Sequence, residues 1–238
     1  MRRSILRSVS RLAAFAVLAC SCSSAFASDR SKRLLQQAPG LKAEVLELAV
    51  SAYDCARRGG EAPQARRLAV IDYSLPSTEP RLWVFDMARE RLLYAEHVAH
   101  GRGSGDNLAT QFSNIEGSHQ TSLGLFVTDQ TYYGANGYSL RMDGLDPGFN
   151  DLARQRAIVM HGAPYVDPEF ARTQGRLGRS HGCPAVRDAV ARPLINQLRH
   201  GQLLFAYYPD PAWLANARSL SCLRLARAGQ TVGTAGAP

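Results

Sequence analysis

Ala157-Ile158-Val159-Met160-His161-Gly162 and Ser180-His181-Gly182-Cys183, with 18 residues between His161 and Ser180, decide how this chain is read. The first stretch opens as a continuous apolar run of the length of a buried strand and delivers a histidine at its end. The second places glycine directly before a cysteine, where a side chain would restrict the backbone. A cysteine reacts as its thiolate, and at an ordinary pKa of about 8.5 only a few per cent is ionised at neutral pH. Lowering that pKa to about 6 corresponds to about 3–4 kcal/mol of differential stabilisation, which a neighbouring imidazolium can supply. His181 reaches Cys183 only through a tight local backbone, whereas His161 arrives from a separate strand. The spacing therefore assigns Cys183 as nucleophile, His161 as base and His181 as a residue shaping the site. It also leaves the Gly182 and Cys183 N–H groups to face a developing oxyanion.

Around this pair the pattern is mainly β. Leu68–Tyr73, Arg81–Asp86 and Arg91–Ala99 are short runs rich in β-branched and aromatic residues, the last two joined as a hairpin. Leu123–Thr128, Tyr138–Met142 and Leu203–Tyr208 read as further strands. Leu41, Val45, Leu48, Ala49 and Ala52 recur at helical spacing, so 41–58 reads as an amphipathic helix ending at Gly59-Gly60. Pro193 is expected to open a short helix, and Asp210-Pro211 to cap another turn. Two long loops are expected, Gly101–Gly117 and Gly162–Arg179. Strands alternate mostly with loops, which excludes a doubly wound parallel sheet and leaves a mainly β, α+β fold.

Several stretches in order now carry a resemblance: YSLPSTEPRLWVFD, VAHGRGSGDN, FSNIEGSHQTSLGLFVT, GYSLRMDGLDPGFND, AIVMHGAPYV and GRSHGCPAV. Together they resemble the L,D-transpeptidases, the YkuD-like catalytic domain, and within it the murein L,D-transpeptidase branch. The resemblance implies a YkuD-like, β-sandwich-type domain over roughly 65–210 with flanking helices. It implies Cys183 as nucleophile, His161 as general base, His181 lining the site, and Ser180 orienting the imidazole unless a backbone carbonyl does so. The implied chemistry is ping-pong acyl transfer. The thiolate attacks the third residue of a peptidoglycan stem, D-alanine leaves, and an amine from a second stem resolves the thioester, with no metal or cofactor. Water in place of the amine would make the enzyme a carboxypeptidase or endopeptidase. Two departures stand out: Ala185 occupies a position where many members carry arginine, and the gap between His161 and Ser180 is slightly long.

Arg172, Arg176, Arg179 and Arg187 bracket the motif, and Arg102 and Arg141 lie in other matched stretches. Stem peptides expose carboxylates, which guanidinium groups bind bidentately. Arg102, Arg141, Arg179 and Arg187 are thus the candidate substrate-binding residues, with a solvated basic surface as the alternative. A zinc site built from His161, His181 and Cys183, with His100 or His119, is a competing use of the same residues. A wall-binding module without catalysis is another, although binding alone needs no Cys–His pair. Tyr132, Tyr133 and Tyr138 fit sheet packing better than sugar stacking.

The 238 residues suit one catalytic domain with small additions. Arg2, Arg3, Arg7 and Arg11, an apolar run from Leu12 to Cys20, and Ala25-Phe26-Ala27 read as a signal peptide over 1–27. The run is too short to span a membrane, so no transmembrane helix is expected in the mature chain. Val17-Leu18-Ala19-Cys20 offers a competing lipid-anchor reading. Removing the four leader arginines from the formal net charge of +8 leaves +4. The expected location is the periplasm or cell envelope, which excludes nucleic acid as a partner. The mature chain then carries Cys55, Cys183 and Cys222, and in an oxidising compartment one pair and one odd thiol follow. Cys55–Cys222 is the expected disulfide, burial without pairing the alternative. Residues 28–64 read as a polar linker and the N-terminal helix, and 211–238 as a C-terminal extension with a frayed tail from Ala226.

Overall fold

The computed structural model describes residues 29–225. The leader, the lipid-anchor motif at Cys20 and the tail from Ala226 lie outside them. Helix α1 (Ala43–Gly59) buries Val45, Leu46, Ala49, Val50, Ala52, Tyr53 and Ala56 along one stripe. It stops at Gly60, whose φ of 88° is the left-handed conformation a helix C-terminus favours. The Tyr53 hydroxyl donates to the Ala65 carbonyl at 2.7 Å, fixing the turn into the sheet.

Eight strands follow: β1 (Arg67–Asp72), β2 (Leu82–Asp86), β3 (Arg91–Glu96), β4 (Gly124–Gly134), β5 (Gly137–Gly144), β6 (Val159–Gly162), β7 (Ala185–Val186) and β8 (Leu203–Tyr207). They form one mixed sheet in the order β3-β2-β1-β8-β4-β5-β6-β7. β1 pairs in parallel with β8 and β6 with β7; the other pairings are antiparallel. Every residue of β8 and β2 is buried, which explains the apolar runs Leu203–Tyr207 and Leu82–Phe85; Asp86, which ends β2, is paired with Arg67 and Arg89. The two outer strands meet. Just past β3, the Ala99 N–H donates to the Ala185 carbonyl of β7 at 2.8 Å, and Arg187 grips Glu96 with two hydrogen bonds of 2.9 and 2.8 Å. The sheet therefore curls until its edges join, and the nucleophile segment lies at that seam.

Helices α2 (Pro168–Gln174), α3 (Asp188–Leu198) and α4 (Pro211–Asn216) flank the sheet, giving the mixed, mainly β architecture with flanking helices that the sequence predicts. Asp210 caps α4, accepting from the Trp213 N–H at 2.7 Å. Cys55 and Cys222 are disulfide-bonded with Cα atoms 6.0 Å apart, leaving Cys183 free.

Three expectations need correction. Residues 29–35 are helical, not linker, because Leu34 and Ala38 plug into the core at 0% and 2% exposure. The loop Gly162–Arg179 contains α2, whose Asp167-Pro168 start carries the same cap as Asp210-Pro211: the Asp167 carboxylate accepts from the Glu169 N–H at 2.8 Å. Pro193 sits inside α3 and does not open it, since burial of Ala191, Leu194, Ile195 and Leu198 carries the helix through the lost hydrogen bond.

Candidate active site

Strand β6 places its residues by register. Arg141 pairs with Val159 and Ser139 with His161 across β5–β6, while His161 pairs with Ala185 of β7. Residues opposite one another share a sheet face, so Ser139, Arg141, Val159 and His161 line one face and Leu140 and Met160 the other. Cys183 precedes β7 by two residues and lies beside Val159, whose N–H points at Sγ at 3.5 Å. His161 is one pleat further along β6, roughly 7 Å of strand from Val159.

The turn carrying Cys183 is held by Ser180. Its hydroxyl donates to the Cys183 carbonyl at 2.6 Å and accepts from the Gly182 N–H at 3.0 Å. Ser180 thus shapes the nucleophile's backbone and does not orient the imidazole. The imidazole is oriented by a backbone carbonyl: His161 Nδ1 lies 2.7 Å from the Gly162 oxygen. A carbonyl only accepts, so Nδ1 carries the proton and Nε2 presents its lone pair. The Gly182 N–H, expected to be free, is taken by Ser180; among the described residues the Cys183 N–H has no acceptor. Gly182 has a φ of 120°, and a Cβ there would lie 2.8 Å from the Gln120 carbonyl oxygen. Glycine is required on both counts.

Electrostatically the resting pair is neutral. Burial pushes the Cys183 thiol up, opposed by the Val159 N–H and the Arg156 charge. Burial lowers the pKa of His161, opposed by the Gly162 carbonyl and the Asp188 carboxylate. The thiol donates to the Ala157 carbonyl at 3.7 Å, and no hydrogen bond joins it to an imidazole among the described residues. This differs from the thiolate–imidazolium pair that the sequence suggests: the site stores a thiol and a neutral base. Asp188, beside Gly162 at the start of α3, favours the imidazolium once it forms.

His181 is exposed, its ring edge-on to His119 with centroids 4.5 Å apart. Arg102 donates to His119 Nε2 at 3.2 Å. Burial, Arg102 and His181 together hold the His119 pKa below its usual value. These three side chains form a basic rim around the nucleophile turn. Thr121 ties the rim loop to that turn, accepting from the Gly101 N–H at 2.9 Å and donating to the Gly182 carbonyl at 3.2 Å. Behind it lies the fully buried Arg81, which donates to the carbonyls of Val98 and Leu75 and to His100 Nδ1 at 2.7 Å. Burial and that cation hold His100 neutral, its pKa pushed down to about 4. The His100 carbonyl in turn accepts from the Ser180 N–H at 3.0 Å.

Of the four candidate arginines, Arg102 alone stands exposed at the rim. Arg187 is committed to Glu96, and Arg179 to the Gly105 carbonyl and Asp106 at 2.9 and 2.7 Å. Their fixed partners make them structural ties. Arg141 lies over the Tyr132 ring at 4.2 Å on the His161 face, its buried Nε without an acceptor. Tyr132 therefore packs against this cation, while Tyr133 and Tyr138 pack together at 5.3 Å beside Arg192. Ala185, one of the two departures noted in the sequence, is fully buried and paired across strands with His161 and Ala99. Among the described residues no three His, Cys, Asp or Glu side chains converge as metal ligands, so the zinc reading has no donor set. Arg156, Asp188 and Thr121 carry no sequence signal as site residues, and His119 appears there only as a possible zinc ligand. Arg156 acts on Cys183 and Asp188 on His161, while Thr121 meets Gly182 and His119 meets His181, all through tertiary folding that no spacing rule records.

No curated protein sequence matches the chain. Among solved structures, an L,D-transpeptidase from Mycobacterium smegmatis shares 15% identity over 60% of this chain and 59% of its own, with a TM-score of 0.37. L,D-transpeptidase 3 from Mycobacterium tuberculosis gives 13% identity, 60% and 61% coverage and a TM-score of 0.37. The Enterococcus faecium L,D-transpeptidase C442S mutant gives 15%, 60% and 50%, with 0.35. The chain thus spans between half and about three-fifths of the length of these solved structures, and the likenesses are partial. A sequence-family model for the L,D-transpeptidase catalytic domain, by contrast, matches residues 37–207, a span that takes in β1 to β8 and both motif histidines with Cys183. By that match the chain belongs to the L,D-transpeptidase catalytic domain family.

Proposed function

We propose that this protein is an exported peptidoglycan L,D-transpeptidase in which Cys183 transfers the acyl group of a stem tetrapeptide to an amine. The observation that carries the reading is the nucleophile turn. A free thiol sits under the Val159 N–H, with an unengaged Cys183 N–H beside it and a neutral His161 oriented one pleat away. Membership of the family supplies the reaction class.

In this mechanism substrate entry brings the Cys183 proton to His161 Nε2, directly or through one water. The sulphur attacks the carbonyl carbon between the third stem residue and the terminal D-alanine. A C–S bond forms while the carbonyl π electrons move to oxygen, towards the Cys183 N–H. Collapse breaks the C–N bond, and the His161 proton leaves with the amine of D-alanine. An acceptor amine then attacks the thioester carbon and the C–S bond breaks. The amine's proton returns through His161 to sulphur. Asp188 stabilises each imidazolium stage. Arg102, with His119 and His181, offers donors for a stem carboxylate at the rim. An oxidising compartment is supported by the Cys55–Cys222 bond, and export by the leader over 1–27.

Incubation with disaccharide-tetrapeptide, followed by mass spectrometry, tests the reading. A dimer that has lost one D-alanine is expected, with an acyl adduct on Cys183 that Cys183→Ala abolishes. A tripeptide monomer would assign water as acceptor. Absence of any Cys183 adduct would overturn the enzymatic reading.

A further inference from the structure

Arg156 lies in the turn before β6 and is half-buried. Its guanidinium donates to four oxygens: the Ser113 carbonyl at 2.7 Å, Ser122 Oγ at 2.5 Å, Ser118 Oγ at 3.2 Å and the Gln120 carbonyl at 2.7 Å. All four acceptors are neutral. The exposed Glu116 carboxylate acts on the guanidinium only through space, without a hydrogen bond or ion pair among the described residues. A partly desolvated cation held directly by neutral dipoles alone is an arrangement proteins seldom keep without use.

The surroundings tie Arg156 to the nucleophile turn. The Gln120 carbonyl that Arg156 holds is the one lying 2.8 Å from the place of a Gly182 side chain. The next residue, Ala157, has a φ of 53°, left-handed for a non-glycine residue, and its carbonyl accepts from the Cys183 thiol. Arg156 is therefore bound on one side to the loop that roofs the nucleophile turn and joined on the other to the thiol's acceptor.

We propose that Arg156 is the positioning residue of the nucleophile: it clamps loop 113–122 onto Gly182, and its fixed charge sustains the Cys183 thiolate once the proton has moved to His161 Nε2. The inference rests on Cys183 being the nucleophile, as proposed above. The other titratable groups that face Cys183 supply no charge of their own at neutral pH. The Tyr165 phenol is pushed up to about 12 by burial and by Cys183, and Tyr73 is raised further by burial. The pKa of His161 is lowered by burial. The Arg156 charge favours the thiolate whether or not the imidazole is protonated.

The test needs no peptide substrate: the rate of Cys183 alkylation by iodoacetamide in the full chain, followed from neutral to alkaline pH. In Arg156→Gln the midpoint of the rate profile is expected to move upward, with alkylation about tenfold slower at neutral pH. Arg156→Lys keeps the charge but not the planar fork. It is expected to stay within about threefold of wild type, while amide exchange over 113–122 quickens. Ser122→Ala breaks one guanidinium contact and leaves the charge, so its midpoint is expected to hold. A wild-type midpoint in Arg156→Gln overturns the proposal, as does a tenfold loss in Arg156→Lys, which decides the matter alone if Arg156→Gln does not fold. Equal displacement in Ser122→Ala assigns the effect to loop packing and also overturns it. A native wild-type chain inert to alkylation would instead defeat the nucleophile reading itself.

Discussion

Replacing Ser180 with alanine separates two roles that one side chain could play. The hydroxyl makes two hydrogen bonds inside a single turn, to the Cys183 carbonyl and from the Gly182 N–H, and Ser180 is 5% exposed. Alanine leaves that carbonyl and that N–H without partners in a buried setting. At about 1–1.5 kcal/mol for each lost bond, and more where desolvation goes uncompensated, the expected destabilisation is about 2–4 kcal/mol. The same change frees the backbone of the nucleophile, so adduct formation by an acylating substrate should fall by about two orders of magnitude, in line with misplacement of a reacting group. The His161 titration should stay where it is, because Gly162 and not Ser180 orients the ring. Urea unfolding gives the first quantity, the rate of adduct formation the second, and NMR titration of the imidazole the third. Ser180→Thr, which keeps the hydroxyl, should recover most of the loss. A Ser180→Ala protein as stable as wild type, or one whose His161 titration shifts markedly, would refute the assignment.

Removing the disulfide as Cys55→Ala/Cys222→Ala should cost about 5 kcal/mol in the chain-entropy model, since the bond closes a sequence separation of 167; denaturant midpoints measure it. His100 is neutral in the fold with a pKa of about 4, against an ordinary value of about 6.5. Between those pH values the unfolded chain binds the extra proton, so about 3 kcal/mol of stability should drain away as pH falls from about 6.5 to about 4. His100→Gln should flatten that acid limb in pH-dependent unfolding. Arg102→Ala should raise KM about tenfold for a donor with a free carboxylate, with kcat little changed, and should be nearly silent for an amidated donor; steady-state kinetics with both donors decides it.

The sequence made the sheet legible wherever burial was two-sided, as in Leu82–Phe85 of β2 and in β8, because apolar runs of that length leave little ambiguity. Cys183 and His161 stand out as candidates because glycine and cysteine chemistry mark one and a strand end marks the other; the structure sets them about one pleat apart with no hydrogen bond between them. What escaped notice was local or long-range. The helix at 29–35 hides its two-residue apolar contact among charges. The cap at Asp167-Pro168 has the same form as that at Asp210-Pro211 but lies in a stretch whose spacing reads as loop. Arginine roles could not be sorted by sequence, since Arg187 and Arg179 are defined by Glu96 and Asp106, residues 91 and 73 positions away. The neutral state of the resting thiol depends on enclosure, which no motif records.

The joined edges of the sheet bear on when the cysteine becomes reactive. Cys183 acquires its Val159 contact, its Ala157 contact and its fixed backbone only when β6, β7 and the segment past β3 come together. Those strands are far apart in the chain and belong among its last contacts to form. A nascent or half-folded molecule would therefore carry a solvated thiol that lacks the fixed turn, the Val159 N–H and the oriented imidazole of the closed sheet. Competence would arrive in a single event, at the moment the cylinder shuts, so that maturation and chemical arming coincide.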